Sequence, residues 1–147
     1  MTEQNEMERR RLTAKEVIER YAKGERDFRN VDLRGVYLSY ADLMGADFSH
    51  ADLSFARLED ADLRGADFSD ANLENINLRY ANLRRVAFNG ADLRYANLSH
   101  AYLSNVNFKN ANLSFADLSF AKFRGANFEG ANLKNAIIQE VAGQDVK

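Results

Sequence analysis

The chain has 147 residues, enough for one domain, and a formal net charge of −2, which gives no long-range field for drawing in nucleic acid or an anionic membrane. The absence of cysteine excludes disulfides, thiolate metal sites and cysteine nucleophiles, and the absence of proline argues against a Pro-rich linker chain. No apolar run approaches the roughly 20 residues of a membrane span, and the opening MTEQNEMERRR has no apolar h-region. The expectation is a cytoplasmic protein with no signal peptide and no membrane partner.

Residues 1–11 are charged and are expected to be mobile. LTAKEVIERYAKG follows with a helix signature. Thr13 and Glu16 have capping-box spacing, and Leu12 and Val17 have hydrophobic-staple spacing. Val17, Ile18, Tyr21 and Ala22 form one apolar side, and Gly24 is a stop signal. The pattern predicts a helix over 14–23, lying as a cap on whatever follows. Residues 1–25 thus form a terminus plus cap, 26–140 the body, and 141–147 a tail.

From Phe28 to Ile138 a large apolar residue returns every five positions without a slip, making 23 pentads. Two residues before each such centre sits a small apolar residue, usually Ala; Arg26, Val31, Val36, Ile76, Val86 and Val106 are the exceptions. A five-residue step smears one residue type around an α-helix and flips it between the faces of a flat strand. The apolar spacing of two, then three, fits a short extended side followed by a corner.

Six phenylalanines set the number of sides. Phe28, Phe48, Phe68, Phe88, Phe108 and Phe128 are centres twenty residues apart. Four pentads per coil place these rings in register, giving five to six coils. At the ordinary strand spacing of about 4.8 Å the rod is roughly 25–28 Å long. The residue before each centre is mostly Asp or Asn, whose short side chains bond to nearby turn backbone.

NAIIQEVAGQDVK ends the chain, with Ile137 where Asp or Asn usually stands. Either this segment folds over the last coil, or Ile137, Ile138 and Val141 pair end to end with a second copy in a closed homodimer.

The tandem A(D/N)LXX motif, seen in ADLMG, ADFSH, ADLRG, ANLEN and ANFEG, resembles that of the pentapeptide-repeat family. The resemblance covers residues 26–140. It implies an all-β solenoid: a right-handed quadrilateral parallel β-helix of five to six coils, here with an N-terminal α-helical cap. The handedness rests on the resemblance alone. The family is abundant in cyanobacteria and most members have no established activity. Some mimic double-stranded DNA and bind DNA gyrase, so the fold does not fix the function.

No catalytic constellation is legible. His50 and His100 lie two and a half coils apart and cannot share a metal, and no His stands beside a Ser and an Asp as a base. No cofactor and no enzymatic activity are expected. The corners are more informative. One corner column carries Phe55, Tyr95 and Phe115; the next carries Tyr40, Tyr80 and Phe120, with His100 among them. They flank the face with centres 38 to 138, which also carries Tyr37. Tyr and Phe anchor interfaces, so this face is the first candidate for binding an unknown protein partner. The competing structural reading is that the rings merely pack along the corners. The face with centres 43 to 123 carries Arg64, Arg84, Arg85, Lys122 and Arg124 against Asp42 and Asp62, and is the second candidate. A gyrase-binding DNA mimic needs an extensive acidic surface, so this alternative is the weaker one, and no direct nucleic-acid partner is expected.

Overall fold

The structure is a computed structural model that describes residues 9–139. Helix α1 (Ala14–Ala22) forms where the sequence predicts it, ending one residue short of 23. Its capping box is complete: Thr13 Oγ1 accepts from Glu16 N, and Glu16 Oε1 accepts from Thr13 N, each at 3.1 Å. Leu12 and Val17, the staple pair, are both buried. Tyr21 Oη donates to the Met44 carbonyl at 2.7 Å, and the Arg26 guanidinium lies 3.6 Å from the centre of the Tyr21 ring. Residues 10–12 add a further row on the first circuit, through Leu12 N to Asp32 O and Asp32 N to Arg10 O. The expected mobile start falls largely on residues 1–8, outside the described residues.

After α1 the chain repeats one five-residue conformation. The residue before each centre makes a single parallel bridge to the residue twenty positions on, as in Asp27 to Asp47 and Asp47 to Asp67. From Leu33 to Leu133 the carbonyl of each centre accepts from the amide three residues later, closing a tight turn, as in Ala71 N to Phe68 O at 3.1 Å. The last residue of each pentad has positive φ, from 57° at Asp70 to 66° at Tyr40 among the non-glycine residues. Other amides reach the adjacent circuits, such as Leu53 N to Asn72 O at 2.8 Å and Asp52 N to Val31 O at 3.0 Å.

This backbone corrects the expected all-β solenoid and its right-handed quadrilateral parallel β-helix. Among the described residues there is no β-strand and no sheet, and α1 is the sole regular element. The reason is the length of a side. A left-handed residue interrupts the extended run in every pentad, so one residue per side bridges its neighbour and no ladder grows from it. The twenty-residue recurrence instead builds a stack of circuits held by isolated bridges, turn bonds and the core.

The core is the row of centres and small residues. The six register phenylalanines stack with centroids 5.1 to 5.5 Å apart. The Leu centres from Leu33 to Leu118 are buried, as are the Ala residues from Ala46 to Ala121 except Ala87, which lies in the outward row. Each buried Leu or Phe contributes roughly 1.5–3 kcal/mol against the entropy of ordering the chain. At the last described circuit burial weakens: Ala126, Ala131, Leu133, Ala136 and Ile138 are only partly covered. Among the described residues no helix is long and apolar enough to cross a membrane.

Candidate functional site

Two positions in the pentad decide what the surface presents. The first is the residue before the centre, on the outward row. Its side chain accepts from the backbone amide two residues later, as in Asp47 Oδ1 from Ser49 N at 2.9 Å and Asn72 Oδ1 from Glu74 N at 3.2 Å. When that residue is Asp and an Arg stands two places on, the guanidinium clamps the carboxylate with two parallel bonds. Arg29–Asp27, Arg34–Asp32, Arg64–Asp62 and Arg94–Asp92 all do so, with bonds of 2.7 to 2.9 Å. The hydrogen bonds from Arg29 and Arg34 hold the carboxyls of Asp27 and Asp32 down to about 2. When the residue is Asn, the Arg has no carboxylate to clamp. Arg79 and Arg84 then bond Asn77 and Asn82 through their backbone amides, and their guanidiniums lie on tyrosines instead: Arg79 over Tyr80 at 5.0 Å and Arg84 over Tyr102 at 4.8 Å.

The second position is the left-handed corner. Gly and Asn suit this backbone; bulky side chains do not. Yet Tyr40, Phe55, Tyr80, Tyr95, Phe115 and Phe120 all sit there, with φ between 59° and 66°. In one column Tyr80, His100 and Phe120 form a continuous stack, with centroids 4.7 and 5.2 Å apart. In the other, Tyr95 and Phe115 stack at 5.0 Å. His100 is therefore part of an aromatic column. Tyr40 and Phe55 stack on no ring among the described residues and stand 78% and 62% exposed.

The row between the columns runs Tyr37, Arg57, Asn77, Asn97, Asp117, Ile137, each bridged to the next. Arg57 pairs with Glu59 at 3.2 Å and lies over the Tyr37 ring at 5.4 Å. Ten large apolar side chains are exposed among the described residues, and eight of them lie on this row or its two corner columns. The structure thus brings Tyr37, Tyr40, Phe55, Tyr80, Tyr95, Phe115 and Phe120 to one side of the molecule. Ring stacking along the corners accounts for Tyr80, Tyr95, Phe115 and Phe120 in part; Tyr40 and Phe55 have no such stacking among the described residues.

The basic residues also share a face. Arg64 is tied to Asp62, which keeps that carboxyl below its usual range. Arg84 and Lys122 each lie 4.8 Å from the Tyr102 ring, a sandwich centred on a residue that the sequence reading passed over. Tyr102 sits in the outward row, bridged to Asn82 and Lys122, and not at a corner where exposed aromatics were sought. Arg85 occupies a left-handed corner at φ 62°, and Arg124 lies on the next circuit but one. Of the end-to-end candidates, Ile137 is 54% exposed and Ile138 partly buried, while Val141 lies outside the described residues. Among the described residues no group of three His, Cys, Asp or Glu is placed to hold a metal ion.

Two family models match the chain: pentapeptide repeats over residues 27–65 and a pentapeptide repeat region over 70–138. Among solved structures, a pentapeptide repeat protein from Nostoc PCC 7120 is 35% identical, with a TM-score of 0.62 over 85% of this chain and 98% of that one. A pentapeptide repeat protein of the Arabidopsis thaliana thylakoid lumen is 34% identical over 67% of this chain and 66% of that one, with a TM-score of 0.36. The plasmid-mediated fluoroquinolone resistance protein QnrB1 is 27% identical over 75% of this chain and 63% of that one, with a TM-score of 0.45. Neither of the last two likenesses is close enough in shape to carry an argument. No curated protein matches the chain.

Proposed function

We propose, from the premise that this chain belongs to the pentapeptide-repeat family, that it is a non-catalytic protein-interaction module whose binding surface is the aromatic-flanked face. Family membership itself supports a non-enzymatic role, and most of the family is of unknown function. The observation that carries the rest is the concentration of eight of ten exposed large apolar side chains on one side, six of them on backbone that disfavours them. An aromatic placed against its backbone preference and left largely exposed adds little net stability there. Tyr and Phe in such a position supply large, rigid contact area to a partner. The cytoplasm is the compartment this reading assigns.

The test is a quantitative pull-down from lysate of the source cells, comparing the native protein with a Tyr40→Ser, Tyr80→Ser, Phe120→Ser variant of matching circular dichroism. A partner lost only from the variant supports the assignment. A partner retained by both moves the site to the basic face or the C-terminal end.

A further inference from the structure

The two aromatic columns are each missing one rung, and the two gaps differ in what fills them. In the first column Tyr40 and Tyr80 are two circuits apart with Asp60 between; in the second Phe55 and Tyr95 are two circuits apart with Asn75 between. Phe55, Asn75 and Tyr95 share nearly the same φ, 61°, 59° and 61°, so their side chains leave the backbone in parallel. Two circuits correspond to roughly 10 Å, which leaves about 5 Å on each side of a flat group lying midway. Tyr95 already stacks on Phe115 at 5.0 Å through its other side.

The first gap shows what such a level accepts. One face of Tyr80 is covered by His100 at 4.7 Å, so the Arg79 guanidinium, 5.0 Å from the ring centre, lies on the opposite face, toward Asp60. The chain fills its own missing rung with a planar cation. Arg94 stands in the same relation to Tyr95 as Arg79 does to Tyr80, but it is held elsewhere. Asp92 clamps it with bonds of 2.9 and 2.7 Å, and Glu74 accepts from it at 3.3 Å. Asn77 stands two residues before Arg79 and Asp92 two residues before Arg94; among the described residues no cation lies over the Tyr95 ring, and Tyr95 is 52% exposed. Two carboxylates against one guanidinium also leave a net negative charge beside the opening.

We propose that the level between Phe55 and Tyr95, floored by Asn75, receives the guanidinium of an arginine from a partner protein. The planar cation would stack between the two rings as Arg79 stacks on Tyr80, and the surplus carboxylate charge of Glu74 and Asp92 would favour it. This inference rests on the aromatic-flanked face being the binding surface and names the chemistry that the surface reads.

The experiment titrates the full chain with N-acetyl-arginine amide and follows the ring protons of Phe55 and Tyr95 by NMR. A saturable shift is expected, and N-acetyl-phenylalanine amide should give none. Asn75→Phe closes the level with a ring of the chain's own, on backbone that already carries Phe at 55, 115 and 120, and should abolish the effect. Asp92→Asn frees Arg94 to cover Tyr95 and should weaken binding roughly five- to tenfold; it carries the test alone if Asn75→Phe does not fold. No saturable shift, or one unchanged in both variants, overturns the proposal, as does an equal response to the phenylalanine amide. A chain that loses its partner in the triple-Ser pull-down yet ignores the arginine amide keeps the interaction reading and refutes this one.

Discussion

Phe55 and Phe115 share a backbone conformation, φ 61° at each, and differ in what their rings touch. Changing each to Asn isolates that difference. Asn already occupies the same corner conformation at 30, 75, 105, 110 and 135. Relief of the left-handed strain should favour both variants by about 1 kcal/mol. Phe55 is 62% exposed, so its loss forfeits about 1 kcal/mol of burial and the balance lies near zero. Phe115 is 46% exposed and stacked on Tyr95, so it forfeits about 1.5 kcal/mol of burial and roughly 1 kcal/mol of stacking. Phe115→Asn should therefore be less stable than Phe55→Asn by about 1.5 kcal/mol. Urea unfolding followed by circular dichroism measures both. Equal stabilities, or a costlier change at 55, would refute the claim that Phe55 lacks the stacking and burial that hold Phe115 against the same backbone.

In the core, Phe68→Ala removes a ring stacked on both sides, at 5.2 and 5.5 Å, and should cost about 3–5 kcal/mol in the same assay; a loss below about 1 kcal/mol would mean that the circuits close over the gap. Thr13→Ala deletes the capping box of α1 and should cost about 1 kcal/mol, with a drop in helical signal on mild heating that wild type does not show. The Arg–Asp clamps set the acid limb of stability. Asp32 is depressed to about 2 in the folded chain, so its contribution is complete above the ordinary carboxylate value of about 4 and is lost as pH falls from there through 2. Melting temperatures should be level from pH 7 to 5 and decline below 4; a flat profile to pH 2 contradicts the clamps. Finally, a face with five cations against two carboxylates is a poor copy of a phosphate backbone, so excess protein should leave gyrase supercoiling unchanged, and inhibition would revive the DNA-mimic alternative.

The sequence disclosed the frame because the frame is made by exclusion from water. Any residue at a centre must be apolar, and the Phe period marks where a circuit closes. Helix α1 was legible for a similar reason, since Thr13 and Glu16 are each other's partner. The absence of strands was not, because apolar spacing of two says that a segment is extended and not that enough consecutive residues pair to make a ladder. The columns at 40 and 55 could be counted from the sequence, but their occupancy could not. Whether Arg79 or Arg94 lies on the neighbouring tyrosine depends on one atom type two residues earlier, Asn77 or Asp92. The Tyr102 sandwich was missed because its cations come from the circuits on either side, twenty residues apart in each direction or nearly so.

A chain bridged every twenty residues has two nested reading frames for insertion and deletion. Any multiple of five keeps the apolar residues inside, and only a multiple of twenty keeps each residue on its own side. Losing residues 61–65 would leave the interior intact but turn everything downstream by a quarter. Tyr80, His100 and Phe120 would then rise above Phe55, and Tyr95 with Phe115 would pass round to the column of Asn30 and His50. A lineage of such chains can thus redraw its entire surface in one genetic step while its folding code remains unaltered.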